Sequence, residues 1–189
     1  MVARIRSKKV SQRRSKGFAG VHKPRGTVQP RVEQVGPERF GVVSVDCAKA
    51  RSMWMLCNFY GRTLLPPAEL THTQGHFQAA IALLKQAVEE HHLQEVIVAV
   101  ERTGNYHQPV KRAFAAAGFE TRIVHPFATK QFRQPANPGN KTDENDLAAI
   151  HRAAVNGFGL SEPAVEPCYE ELRLLARHRR DLVQKRSAV

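Results

Sequence analysis

From Phe40 onward, short apolar runs alternate with longer amphipathic ones. "RFGVVSVDCA" is compact, apolar and rich in strand formers, and "RSMWMLCNFYG" follows almost at once. The pair predicts an antiparallel hairpin turning around Ala48 to Arg51. "GRTLLPP" predicts a short third strand closed by Pro66 and Pro67. In "THTQGHFQAAIALLKQAVEEHH", Phe77, Ala80, Ile81, Leu84 and Val88 recur at three- and four-residue spacing, the period of a helix. "QEVIVAVE" is apolar throughout, as in a central strand covered on both faces. "RTGNY" then turns the chain, and "HQPVKRAFAAAG" predicts a helix closed by Gly118. "FETRIVHP" predicts another strand, "FATKQFRQ" a short helix and "PANPGNK" a loop. "TDENDLAAIHRAAVNG" is a helix ended by Gly157. In the last helix, "EPCYEELRLLARHRRDLVQKRS", Leu172, Leu175, Ala176, Leu182 and Val183 form one stripe. Leading antiparallel strands followed by alternating helices and strands predict an α/β fold, a mixed sheet with helices on its faces.

Composition changes this picture mainly at the N-terminus. The 189 residues suffice for one globular domain with appended material, and 42% apolar content suits a packed core. No apolar run approaches the roughly 18 residues of a membrane span, and the start lacks the apolar core of a secretory signal. Cys47, Cys57 and Cys168 form no paired or zinc-binding spacing, so each is expected to act as a small buried apolar residue. Charge is uneven: residues 1–39 hold 11 Lys or Arg against 2 acids, and the other 150 residues hold 18 against 15. "RIRSKKVSQRRSKG" has too few large apolar side chains to fold alone. Residues 1–39 are therefore expected to be a disordered basic arm, with Arg13 and Arg14 among its candidate phosphate contacts. A solubilising tail or an upstream extension is the competing explanation.

Four acids are candidates for chemistry. Asp46 closes the first strand and Glu101 closes the central one, whereas Asp143 and Asp146 lie three apart at the start of a helix. Loops after parallel strands gather at one edge of a sheet, so adjacent parallel strands would bring Asp46 and Glu101 together there. Residues i and i+3 share a helix face, so the two aspartates can join them. Four close carboxylates repel one another unless a cation intervenes. Mg²⁺ prefers oxygen ligands, and Mn²⁺ fits similarly. A pair of such ions about 4 Å apart suits phosphodiester chemistry. The plain alternative is that Asp143 and Glu144 favour the helix dipole behind the N-cap Thr142, that Asp46 starts a turn, and that Glu101 pairs with Arg102 or Lys141.

Three stretches carry a family resemblance: "GVVSVDCAKA" at 41–50, "VIVAVERTGNYHQPVKRAFAAAGFETRIVHP" at 96–126, and "NKTDENDLAAIHRA" at 140–153. With their E-x-T-G-x-Y and K-T-D-x-x-D elements, the chain resembles the DEDD transposases of insertion sequences, a group that includes the Piv-type DNA invertases. The resemblance implies an RNase H-like, RuvC-like first domain over 40–160, with 161–189 starting a helical, coiled-coil-like segment. It implies Asp46, Glu101, Asp143 and Asp146 as a catalytic, metal-binding tetrad, with Mg²⁺ as cofactor and DNA as substrate. It further implies oligomeric assembly, here expected through the C-terminal helix, and in some members a guide RNA. Thr103, Gly104 and Tyr106 match the motif around the glutamate; Gly104 reads as a backbone requirement and Tyr106 as a packing or DNA-contacting residue. Lys141 is placed for a phosphate contact.

Family members continue into a second domain with a nucleophilic serine, which this sequence does not include. The expectation is an isolated first domain or a truncated form, bacterial, cytoplasmic and nucleoid-associated, acting in metal-dependent DNA strand cleavage and transfer. A stand-alone Holliday-junction-type nuclease and an inactive DNA-binding remnant are the alternatives.

Overall fold

The structure is a computed structural model that describes residues 28–133, 142–161 and 167–187. The apolar strand that the sequence marked as central, in QEVIVAVE, forms the middle of the sheet with the first strand of the hairpin. β1 (Phe40–Cys47) lies between β2 (Arg51–Asn58) and β4 (Glu95–Glu101) in a six-stranded sheet of order β3-β2-β1-β4-β5-β6. β3 is Thr63–Thr71, β5 Glu120–Val124 and β6 Gly159–Leu160. β2 runs antiparallel to β1 and to β3, β4 runs parallel to both β1 and β5, and β6 is antiparallel to β5. This is the mixed, helix-flanked α/β sheet expected of an RNase H-like domain.

Side chains alternate across a strand, so each strand feeds two cores. Val43, Val45, Val98 and Val100 point to one face, where α2 (Gln74–Glu90) and α3 (His107–Ala116) cover them with Leu84, Val110 and Phe114. Phe40, Val42, Ile97 and Ala99 point to the other face. There they meet α4 (Pro126–Phe132) through Ala128 and α5 (Asp143–Val155) through Ile150, Ala153 and Ala154. His151 adds a polar tie: its Nε2 donates to the Asn58 carbonyl at 2.9 Å, fixing α5 against the end of β2. Leu84 and Phe114 expose no surface, and truncating either to alanine would cost about 2–5 kcal/mol.

Four expectations need correction. The folded domain does not begin at Phe40: α1 (Gln29–Val35) buries Val28 and Val32 against the Phe40 face, so residues 28–39 belong to the domain rather than to a disordered arm. The spacing Val28, Val32, Val35 behind a first-turn proline was the available signal, masked by the surrounding basic residues. Residues 1–27 lie outside the described residues. Second, Pro66 and Pro67 do not end β3. The strand continues to Thr71 with its register to β2 shifted between Trp54 and Leu56, opposite the prolines. β3 is an edge strand, where a missing N–H is tolerated. Third, Cys47 and Cys57 are buried as expected but Cys168 is exposed. Fourth, the stretch after Gly157 contains β6, two residues that pair with Ile123 and Val124.

The last helix, α6 (Pro167–Ser187), has the expected span, and each side chain described on it is exposed. Among the described residues no helix is long and apolar enough to cross a membrane.

Candidate metal centre at the carboxyl edge of the sheet

The alternation that builds the two cores also aims the acids. Val45 and Val100 are register partners on parallel strands, so Asp46 and Glu101, one residue further on, lie side by side. Both fall on the even-odd phase that faces α4 and α5. Burial pushes both pKa values up, and each carboxyl group acts on the other's, drawing that of Asp46 down and that of Glu101 up. Two buried carboxylates in contact cannot both ionise cheaply without a cation.

α5 brings the other two. Thr142 caps the helix, accepting from the Asn145 N–H at 3.3 Å, so neither aspartate is needed for capping. Asp143 and Glu144 are exposed, as acids that serve only the helix dipole would be. Asp146 is not: it retains 5% of its surface. Its charge, and that of Asp143, raise the Asp46 pKa further, which places both within electrostatic reach of the strand pair. The structure thus sets Asp46 beside Glu101 at the strand ends, with buried Asp146 and exposed Asp143 within range of the Asp46 charge.

Among the described residues, Arg133 is the counter-charge found to act on these acids. Arg133, just past the end of α4, sets its Nε 2.8 Å from Asp146 Oδ1 and draws the Asp46 and Glu101 pKa values down. The contact is an ion pair without an aligned hydrogen bond, because Oδ1 is buried and accepts none. The Thr129 hydroxyl also faces Glu101 and lowers its pKa, again without reaching an aligned geometry. Sequence reasoning missed both residues. "FATKQFRQ" carries no spacing that marks them; a basic residue just past a short helix, itself following a parallel strand, was the only hint.

The fit to a hard divalent cation rests on this chemistry. The donors are all carboxylate oxygens, one buried oxygen lacks a hydrogen bond, and burial disfavours the charge on two neighbouring carboxylates. Among the described residues no three acidic, His or Cys side chains converge closely enough to enclose a cation as they stand.

Around this edge, Gly104 has φ +52°, the left-handed conformation expected of a required glycine in the turn after Glu101. Tyr106 closes that turn, its N–H on the Thr103 carbonyl at 3.0 Å, and is 39% exposed beside the first turn of α3. Lys141, Arg13 and Arg14 lie outside the described residues.

RuvC from Thermus thermophilus in complex with Holliday junction substrate aligns with 59% of this chain and 90% of its own, at 12% identity and a TM-score of 0.40. A second Thermus thermophilus RuvC structure aligns with 67% and 84%, at 16% identity and 0.35. An exopolyphosphatase from Cytophaga hutchinsonii aligns with 49% and 36%, at 9% identity and 0.32. No curated protein sequence matches significantly. The family model of the IS110-type DEDD transposases, described as transposase, matches residues 43–189, from the second valine of β1 to the last residue given. The chain belongs to this transposase family.

Proposed function

We propose that this chain supplies the metal-dependent catalytic domain for DNA strand cleavage and transfer in transposition. Family membership gives the coarse assignment. The finer reading is carried by Asp146, a buried carboxylate with an oxygen that accepts no hydrogen bond, near the adjacent strand-end acids Asp46 and Glu101, whose pKa values burial raises. Burying a carboxylate costs several kcal/mol unless it is compensated, and helix capping does not require it here.

Asp46, Glu101, Asp143 and Asp146 would hold Mg²⁺, with Mn²⁺ fitting similarly. The bound ion supplies activation of an attacking oxygen and stabilisation of a leaving one. The chain's own residues set the geometry. Asp46 and Glu101 are fixed by adjacent central strands, and Asp146 by a helix packed through Leu147, Ile150 and Ala154. Asp143, exposed at the rim, is free to approach as the cluster closes. DNA is the substrate; Tyr106, Lys141, Arg13 and Arg14 are its candidate contacts, and the place of a guide RNA belongs to the same proposal. The apolar stripe of α6, with Leu172, Leu175, Leu182 and Val183 at least half exposed, suits self-association of the chain.

The test is a Mg²⁺ and Mn²⁺ titration followed by thermal unfolding, with and without DNA, comparing wild type with Asp46→Asn and Asp146→Asn. At 100 times Kd a bound ion adds about 2.7 kcal/mol. That is a rise on the order of 5–10 °C for a chain of this size. Loss of the rise in both variants supports one shared site contributed by residues 100 apart in sequence. No rise in wild type under either condition would sink the metal reading. Cutting of branched DNA without strand transfer would favour a resolvase-type nuclease instead.

A further inference from the structure

We propose that Arg133 is an exchangeable cation: it neutralises the carboxylate cluster before metal binds, is displaced from Asp146 when metal arrives, and then engages the DNA phosphate at the site. This rests on the metal reading above and deepens it. Three observations carry it. Arg133 Nε contacts Asp146 Oδ1 at 2.8 Å, the same oxygen that accepts no aligned hydrogen bond, so contact holds the pair without a locked geometry. The Arg133 side chain is 42% exposed whereas that of Asp146 is 7% exposed, so the arginine can leave and the aspartate cannot. Arg133 follows the last residue of α4 with an extended backbone, φ −64° and ψ 140°, outside the helix that packs Ala128 and Thr129. Its side chain can therefore swing without unpacking a core.

The charge argument sets the order of events. Among the described residues one guanidinium acts on several carboxylates, and a divalent ion would neutralise them more completely. The ion and the arginine then compete for the Asp146 oxygen. Released from Asp146, Arg133 would offer a nearby phosphodiester the planar, forked donor that fits phosphate oxygens. A purely structural salt bridge makes the opposite prediction, because losing it would loosen Asp146 and weaken metal binding.

The experiment measures Mn²⁺ affinity of the chain without DNA at pH 8, where proton competition is smallest, from the electron paramagnetic resonance signal of free Mn²⁺. Wild type and Asp46→Asn establish the site. Arg133→Gln should then bind Mn²⁺ more tightly, by about 3- to 10-fold, because a competing cation is gone. Arg133→Met, which loses the charge but keeps an apolar stem, should do the same and covers any failure of the first variant to fold. Lys85→Gln, an equal charge change on α2 across the sheet, should leave the affinity unchanged. With Ca²⁺ in place of Mn²⁺, both Arg133 variants should bind a DNA duplex more weakly than wild type. Mn²⁺ affinity in the Arg133 variants equal to or below that of a metal-binding wild type overturns the inference and leaves the metal reading standing. Unaltered DNA binding in Ca²⁺ overturns the phosphate step. Failure of wild type to bind Mn²⁺, or equal binding by Asp46→Asn, removes the metal reading and this inference together.

Discussion

The two ends of the parallel strands treat their acids in opposite ways. β4 begins with Glu95 and ends with Glu101, and β5 begins with Glu120. At the amino-terminal end, Arg31 of α1 bridges Glu95 and Glu120, and Arg122 Nε donates to Glu120 at 2.7 Å. Burial alone would raise the Glu120 pKa, but the hydrogen bonds and charges of Arg122 and Arg31 outweigh it and hold the carboxyl below its usual range. At the carboxyl-terminal end, burial dominates, and Asp46 and Glu101 are pushed up. The same sheet thus neutralises the acids that hold it together and leaves under-neutralised those at the candidate centre. Such incomplete compensation is where a site for an added cation is to be sought.

The largest effect that would test this contrast is at Glu101. Glu101→Gln should reduce metal-dependent DNA cleavage by more than about 100-fold, exceeding what loss of a mere supporting residue costs. Because it also removes a repelling acid, it should stabilise the metal-free protein by about 0.5–2 kcal/mol in urea unfolding. A destabilised variant would mean that Glu101 is a structural acid like Glu95.

Arg31→Ala should do the reverse. It leaves Glu95 and Glu120 short of a partner and removes the guanidinium that lies 5.7 Å from the centre of the Phe40 ring. The partly exposed network predicts a loss of about 1–3 kcal/mol, with metal affinity unchanged. A fall in metal affinity would show that the two ends are coupled.

The smallest effect is a pH dependence. Glu120 has a depressed folded pKa, so its contribution to stability is fully present above the unfolded value of about 4.3 and is lost as pH falls through the folded value. Urea midpoints measured between neutral and acid pH should fall on that limb in wild type and fall less in Glu120→Gln. Parallel curves would remove Glu120 from the compensated set.

Much of this contrast was legible in the sequence at one end only. Asp46 and Glu101 stood at the ends of apolar runs, and strand period alone fixed that they would share a face if the strands paired in parallel. Asp143 and Asp146 stood at helical spacing behind a capping threonine. The other end was not legible. Arg31 sits among basic residues that read as a solvated arm, and its partners are 64 and 89 residues away. Charge alone does not reveal whether an arginine will be paired, because pairing depends on which strand starts are neighbours. The β3 prolines misled for a related reason: proline ends a central strand but not an edge one, and strand order sets which applies.

By itself the sequence determined most elements between Phe40 and Gly157 and the mixed sheet, and marked four acids as candidates, because apolar periodicity and turn residues act over a few positions. Only the tertiary structure decided which acids are compensated. The pairing of β1 with β4 sets Asp46 beside Glu101, the packing of α5 buries Asp146 near them, and the ends of α1 and α4 place Arg31 and Arg133. Those contacts join residues distant in sequence, and electrostatic compensation depends on distance in space and on burial, neither of which a linear pattern contains.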